Sequence, residues 1–398
     1  MSLPTVEDAL ARMLTQVSPL AIEAVPIADA DGRWLAEPVA ATRDQPPFDA
    51  SAMDGWAVRG ADVRTAATLT IVGESVAGRR ADVVLQPGQT VRIFTGAPLP
   101  DGADRVVIQE EAERRGGALI CGPAEGAPYV RPRGCDFREG QSLLNAGDRL
   151  NPWRLALAAS VGAATLTCGS RPRVAILATG DELVEPGAPA GPDQIYNSAA
   201  PALAAFVARH GGKGTCLVSA ADAEAAILDR LSGAAFDILV TIGGASVGDH
   251  DLVKPALRRL GATVHVEGCA MRPGKPVWFA TLPDGRPVLG LPGNPASALV
   301  CAELFLAPIL ARLQGGAPDD RFETAVLAAP LPANGPRDHY IRAHVKAGPD
   351  GARRATPFAD QDSSLVTVMA AANALIRRPP FAAAADIGEV VAILPPTF

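Results

Sequence analysis

Three short stretches of this sequence pair glycine-rich turns with charged residues in a pattern suited to binding phosphate. The apolar run Val174–Ala178 leads into Thr179-Gly180-Asp181-Glu182. The run Ile238–Ile242 leads into Gly243-Gly244-Ala245-Ser246-Val247-Gly248, followed by Asp249 and Asp251. The run Val288–Leu291 leads into Pro292-Gly293-Asn294-Pro295 and a helix start. Gly-rich backbone ahead of a helix N-terminus offers N–H groups to an anion. Nearby, Arg272-Pro273-Gly274-Lys275 supplies two fixed positive charges. Carboxylates beside phosphate binders point to a hard cation such as Mg²⁺, or to proton transfer. Each stretch alone is ordinary turn chemistry; their convergence on one rim points to a site.

A second dense stretch runs from Pro46 to Val58 and holds Asp49, Ser51 and Asp54 among tight-turn residues. It reads as a binding loop or as a structural turn anchored by Phe48, Met53 and Trp56. Arg92–Pro98, which contains Thr95, and Arg131–Asp136 are individually weak in the same way. The six cysteines (121, 135, 168, 216, 269, 301) form no CxxC pair and stand near no histidine, so they read as buried free thiols rather than a zinc cluster.

These residues must be positioned by three textures of chain. Thr5 reads as the N-cap of a helix carrying Leu10, Met13, Leu14 and Val17. Between 46 and 145, short runs such as Leu69–Val72, Val91–Phe94 and Arg105–Ile108 alternate with turns and predict a small all-β unit. Asn151-Pro152 opens another helix. From about 172, strands at 174–178, 215–219, 238–242, 263–266, 277–281 and 288–291 alternate with helices at 201–209, 222–231, 251–260 and 296–313. That alternation predicts a mainly parallel α/β sheet, whose ligands bind beyond the carboxyl ends of the strands. After 320 the β texture returns, at 324–327, 340–345, 374–377 and 390–394.

Composition bounds the function. The chain has 398 residues, 48% hydrophobic and 20% charged, enough for several cores. A net charge of −7 gives no general electrostatic case for nucleic acid or an anionic membrane. The most apolar stretch, Ala296–Ala311, is broken by Glu303 and Pro308 and falls short of a span of ~20 residues. No basic segment with an apolar stretch opens the chain, so the expectation is a cytoplasmic protein without a membrane.

The stretches PPFDASAMDGWAV, RIFTGAPLPDGADRVV, ATGDEL, GGASVGDHD, MRPGKP and LPGNPASA occur in that order. Together they resemble the molybdopterin molybdenumtransferases, the family that includes the gephyrin E domain, and the resemblance spans roughly residues 5 to 395. It implies the last step of molybdenum cofactor synthesis, in which adenylylated molybdopterin and molybdate give the cofactor and AMP with Mg²⁺ assisting. It also implies a homodimer in which the β domain of one chain completes the site of the other, and contact with other cofactor-biosynthesis and recipient proteins. The implied fold is a multidomain α/β plus β chain. An extended N-terminal domain would span 1–45 and 146–170, a β-rich domain 46–145, a molybdopterin-binding α/β domain 171–322, and a C-terminal β-barrel-like domain 323–398.

Carried over by position, the resemblance implies catalytic roles for Asp54, Thr95 and Asp136 in the β domain and for Glu182, Asp222 and Asp251 in the α/β domain. Glu182 and Asp251 would hold Mg²⁺. Substrate would be bound by Gly243, Gly244, Ser246, Gly248, Arg272, Lys275, Pro292, Gly293, Asn294 and Pro295. Arg342 and Ser363 in the tail would join them, on the shorter matches Tyr-Ile-Arg and Gln-Asp-Ser. Arg272 stands where the family commonly has Lys, which keeps the charge but exchanges a point charge for a planar fork. Molybdate is a tetrahedral dianion, and Arg272 and Arg342 are the candidates to receive it. Two other functions fit parts of the pattern: a non-catalytic scaffold, as among gephyrin relatives, and molybdopterin adenylylation.

Overall fold

A computed structural model describes residues 3–221, 223–244, 252–317 and 321–396. Chain contacts divide it into two compact units, 38–145 with 153–164, and 1–37 with 146–152 and 165–398. This is a coarser division than the four domains expected from sequence, and it groups 38–45 and 153–164 with the β unit.

The smaller unit is built on a six-stranded sheet in the order Arg105–Ile108, Gly55–Val58, Gln89–Ile93, Ala67–Ser75, Ala118–Cys121, Ala112–Arg115. Alternation of side chains across these strands feeds two apolar clusters, one holding Ala57, Val91 and Ile93 and the other Trp56, Val58, Leu69 and Leu119. Of the three anchors expected in the Pro46–Val58 stretch, Trp56 is buried, whereas Met53 is 40% exposed and Phe48 half-buried. Ala50 and Ser51 occupy the inward positions instead, with the Ser51 hydroxyl donating to Met53 O at 2.6 Å.

The larger unit centres on a six-stranded sheet in the order Lys213–Cys216, Arg173–Ala178, Ile238–Ile242, Pro287–Leu291, Trp278–Thr281, Thr263–Glu267. The first four strands are parallel, and the last two join antiparallel. The antiparallel edge arises because Leu282–Arg286 closes a tight hairpin, Leu282 N–H donating to Arg286 O. Central strands buried on both faces, such as Ile238–Ile242, read as unbroken apolar runs. The N-terminal helix Val6–Thr15 is capped by Thr5, whose hydroxyl accepts from Asp8 N–H, and packs Val6, Ala9 and Met13 onto the sheet's core.

The long helix Pro295–Leu313 contains a wide π turn at Ala302–Leu306. Pro308 follows after Ala307; it has no N–H for a regular i−4 bond, and the wider turn accommodates that. The helix is long and apolar enough to cross a membrane, yet 83% of its apolar window is buried inside the fold. Buried Glu303 within it is paired with Arg321 at 2.7 Å.

The C-terminal strands Glu323–Leu327, Asp338–Ala347, Arg353–Pro357, Ala374–Arg378 and Val390–Leu394 form a closed barrel. Closure comes from Asp338–Ala347, which pairs with both Arg353–Pro357 and Ala374–Arg378. The short strand Met271–Arg272 adds to it in parallel, Met271 opposite Asp338 and Arg272 opposite His339. That pairing ties the Arg272–Lys275 turn to the barrel.

Candidate functional site

The three glycine-containing turns meet at the carboxyl ends of the parallel strands. Thr179 N–H donates to Ile242 O and Gly243 N–H to Leu291 O, at 2.9 and 3.1 Å. A Cβ at Gly243 would stand 2.7 Å from Thr179 O, and Gly293 lies against Gly243. Only glycine allows that approach at its φ of +87°. The same bonds limit the expected anion cradle, because Gly180 N–H, donating to Ala220 O, and Gly243 N–H are already used.

Beside these turns lies a cavity of about 830 Å³. Gly243, Gly244, Pro292, Gly293 and Asn294 line one side of it, and Arg272 and Lys275 another. Ser363 closes it from the barrel. Asn294 stands at the N-cap of the long helix but does not cap it with its side chain. Its amide donates instead to the Ser363 hydroxyl at 2.8 Å. The first turn of the helix, which begins at Pro295, is thereby left without a side-chain cap beside the cavity.

Glu182 lies outside the lining, exposed on the loop after the first strand, with no hydrogen-bond partner for its carboxylate among the described residues. A Cβ at Gly180 would meet that carboxylate at 2.4 Å, so the side chain folds back over a bare glycine. Its loop is braced by Glu185, which accepts from the Ser219 hydroxyl at 2.7 Å. The Ser219 hydroxyl, helped by the Ser219 and Asn197 N–H donors, holds the Glu185 carboxyl below its usual range against the opposing effect of burial. Asp222, Ser246, Gly248 and Asp251 lie outside the described residues.

Arg342 is fully buried, 0% exposed, behind the cavity wall rather than on it. Gln361 holds it: the Gln361 carbonyl accepts from Arg342 N–H and Nε at 2.9 and 3.3 Å, and its amide donates to Arg342 O at 3.0 Å. Nη1 donates to Asp362 O at 2.8 Å, and Nη2 has no partner. Burial pushes the Arg342 guanidinium down from its usual range, while Asp360 and Asp362 act in the other direction. His339 is pushed down to about 4 by burial and by Arg272, Arg337 and Arg342, so it is neutral at pH 7.

Arg337, Gln361 and Asp362 also line the cavity, and none was singled out from sequence. The Arg-Asp-His-Tyr-Ile-Arg run carried the signal for Arg337, a charge two residues before His339 at the mouth of the barrel strand. Beneath the Arg272–Lys275 turn, Cys269 and Cys301 are buried thiols; burial pushes Cys269 up to about 12 and Cys301 further up. Cys135 and Cys216 depart from the expectation of six buried thiols, being exposed on loop and edge-strand backbone.

In the smaller unit, Asp54 and Thr95 come together. One Asp54 oxygen accepts from both Thr95 N–H and Thr95 hydroxyl, each at 2.8 Å. Those two bonds, with Arg92 nearby, hold the Asp54 carboxyl below its usual range. Arg92 stacks over Trp56 and Phe94, with its guanidinium carbon 5.2 and 4.7 Å from the ring centres. Asp136 is exposed, and among the described residues its carboxylate makes no hydrogen bond.

Comparison with known proteins covers nearly the whole chain. Family models match at residues 4–162 (MoeA N-terminal region, domain I and II), 175–312 (probable molybdopterin binding domain) and 324–395 (MoeA C-terminal region, domain IV). A molybdopterin molybdenumtransferase of Nostoc sp. is 41% identical over 74% of this chain and 70% of its own length. One from Bacillus subtilis is 34% identical over 94% of this chain and 89% of its own. The crystal structure of a molybdopterin biosynthesis moeA protein from Pyrococcus horikosii superposes with a TM-score of 0.81 at 31% identity, covering 99% of each chain. The chain therefore belongs to the molybdopterin molybdenumtransferase family and is a transferase of molybdenum cofactor biosynthesis.

Proposed function

We propose that the cavity at the strand ends receives adenylylated molybdopterin and molybdate, and that the chain inserts molybdenum into the pterin with release of AMP. The observation that carries this reading is the pair Arg272 and Lys275: both line the cavity, and neither side chain has a hydrogen-bond partner among the described residues. Unpaired cations around a cavity that also presents an uncapped helix start suit a polyanionic substrate. Lys275, a point charge, binds the pyrophosphate end. Arg272 offers a planar fork to the molybdate oxygens. Arg342, locked by Gln361, adds positive potential from behind the wall, and Ser363 with Asn294 sets the barrel side of the cavity.

Mg²⁺ fits one of the two expected ligands here. Glu182 is an exposed carboxylate with no protein partner, the hard oxygen donor that Mg²⁺ prefers. When bound, the ion would neutralise charge on the pyrophosphate. Asp251 is the proposed second ligand. Glu182 would act on the nucleotide end through that ion, and Asp54 with Thr95 forms a preorganised acceptor pair whose carboxylate stays ionised at neutral pH. We also assign the four-domain division, a homodimer with composite sites, a cytoplasmic location, and contact with other cofactor-biosynthesis and recipient proteins. A pure scaffold would have no use for a carboxylate and two cations left without partners. An adenylyltransferase would leave the MoeA-type N- and C-terminal regions unexplained.

Glu182→Gln tests the reading. The side chain is exposed and unbonded, so thermal unfolding should match the parent, while molybdenum insertion should be abolished. Full insertion activity with Gln at 182 would defeat the assignment.

A further inference from the structure

Arg337 lies just before the barrel strand Asp338–Ala347 and lines the cavity. Its backbone is held from two sides. Asn334 donates to the carbonyls of Arg337, Arg378 and Pro379, each at 2.8 Å. Asp338 N–H donates to Ala270 O at 2.9 Å. The parallel pairing of Arg272 with His339 puts those two side chains on one face. Arg337, in the bend two residues before His339, lines the same cavity as Arg272.

Among the described residues no carboxylate near the cavity bonds to Arg337. Asp338 is buried and clasped by Arg377 at 2.7 Å. Glu267, also on the cavity wall, accepts from Arg258 at 2.9 Å. Asp362 accepts from the Ser364 N–H and hydroxyl at 2.8 and 2.7 Å. His339, neutral at pH 7, can offer hydrogen bonding without adding charge to the cluster. The Arg337 guanidinium has no hydrogen-bond or ion-pair partner among the described residues, so three unpaired cations, Arg272, Lys275 and Arg337, share one cavity.

We propose that Arg337 is a substrate-binding residue that takes a tetrahedral oxyanion in this cavity, together with Arg272. The inference rests on the functional reading above and adds to it a residue from the barrel. A planar fork presents two parallel donors to two oxygens of one tetrahedral centre. That geometry is shared by molybdate and by a phosphoryl group of the pyrophosphate, and the two sources are separable.

The test is calorimetric titration of the full-length protein, as wild type, Arg337→Ala and Arg337→Lys, with sodium molybdate alone and with AMP alone. Loss of a charge-assisted contact should weaken one ligand about tenfold or more in Arg337→Ala. Arg337→Lys should recover part of it. Weakening of molybdate only assigns Arg337 to the transferred oxyanion; weakening of AMP only assigns it to the phosphoryl group. The thermal transition should be unchanged, because the side chain makes no bond to lose. If the wild type binds both and Arg337→Ala binds both equally well, the inference is wrong and the functional reading stands. If the wild type binds neither, both fall.

Discussion

Replacing Gln361 with Ala should damage both stability and oxyanion binding, through one half-buried side chain that holds a buried arginine. The Gln361 carboxamide is the acceptor for Arg342 N–H and Nε and also donates to Arg342 O and to Phe358 O at 2.9 Å. Arg342 is 0% exposed and its Nη2 already lacks a partner, so its guanidinium depends on Gln361 and the Asp362 carbonyl for its hydrogen bonds. Each buried donor left unsatisfied costs about 1–3 kcal/mol and two are orphaned here; water entering from the cavity that Gln361 lines offsets part of this, so we expect a loss of about 2–4 kcal/mol. For a unit of this size that lowers its thermal transition by roughly 5–15 °C. Oxyanion binding should fall as well, since Arg342 can then leave its fixed rotamer and weaken the potential behind the wall. The assay is thermal unfolding of the Gln361→Ala protein beside molybdate titration of the folded fraction. A variant with the parental transition and parental molybdate affinity would show that Gln361 does not hold Arg342.

Other perturbations have equally definite outcomes. Arg377→Met removes a guanidinium that contacts Asp338 through Nε and Nη2, leaving a buried carboxylate with only the Tyr340 hydroxyl at 3.3 Å. Urea unfolding should show a loss of about 3–5 kcal/mol, largely reversed by adding Asp338→Leu. The depressed His339 value makes stability fall on acidification. Between the unfolded value of 6.5 and the folded value of about 4, the unfolded chain binds more protons, so stability is present above pH 6.5 and lost progressively toward pH 4. His339→Asn should flatten that part of a stability–pH curve; an unchanged slope would assign the acid sensitivity elsewhere. Lys275→Ala should leave unfolding within about 0.5 kcal/mol of the parent, as expected for an exposed, unbonded side chain. It should weaken adenylylated molybdopterin more than molybdopterin lacking AMP, and equal losses would move Lys275 away from the nucleotide end.

Local signals in the sequence reached as far as local chemistry reaches. Thr5 caps the helix that its side chain predicts, and Ile238–Ile242 and Val390–Leu394 are strands with the boundaries that their apolar runs predict. The turns at Thr179, Gly243 and Gly293 converge because parallel strands bring their carboxyl ends together, which alternation of strand and helix already implies. Asn294 and Ser363 were each legible as site residues by resemblance, but their contact was not, because Ser363 reaches Asn294 from a strand-to-helix loop 69 residues away. Barrel closure was hidden for the same reason, since it depends on Asp338–Ala347 pairing on both sides. Arg337 escaped notice because an arginine's lack of partners is a property of the folded surroundings: Arg377, Arg258 and Ser364 take the acids near it. Arg342 was legible as a charge in the tail, but its complete burial behind Gln361 was not.

The most direct test of the account is to mix the purified full-length protein with adenylylated molybdopterin and Mg²⁺, add molybdate, and follow AMP release together with molybdenum bound to the pterin. The account predicts that both rise together, one AMP for each molybdenum inserted, and that neither occurs when molybdate is omitted. A folded protein that releases no AMP and inserts no molybdenum under these conditions would contradict the assignment of a transferase site to this cavity.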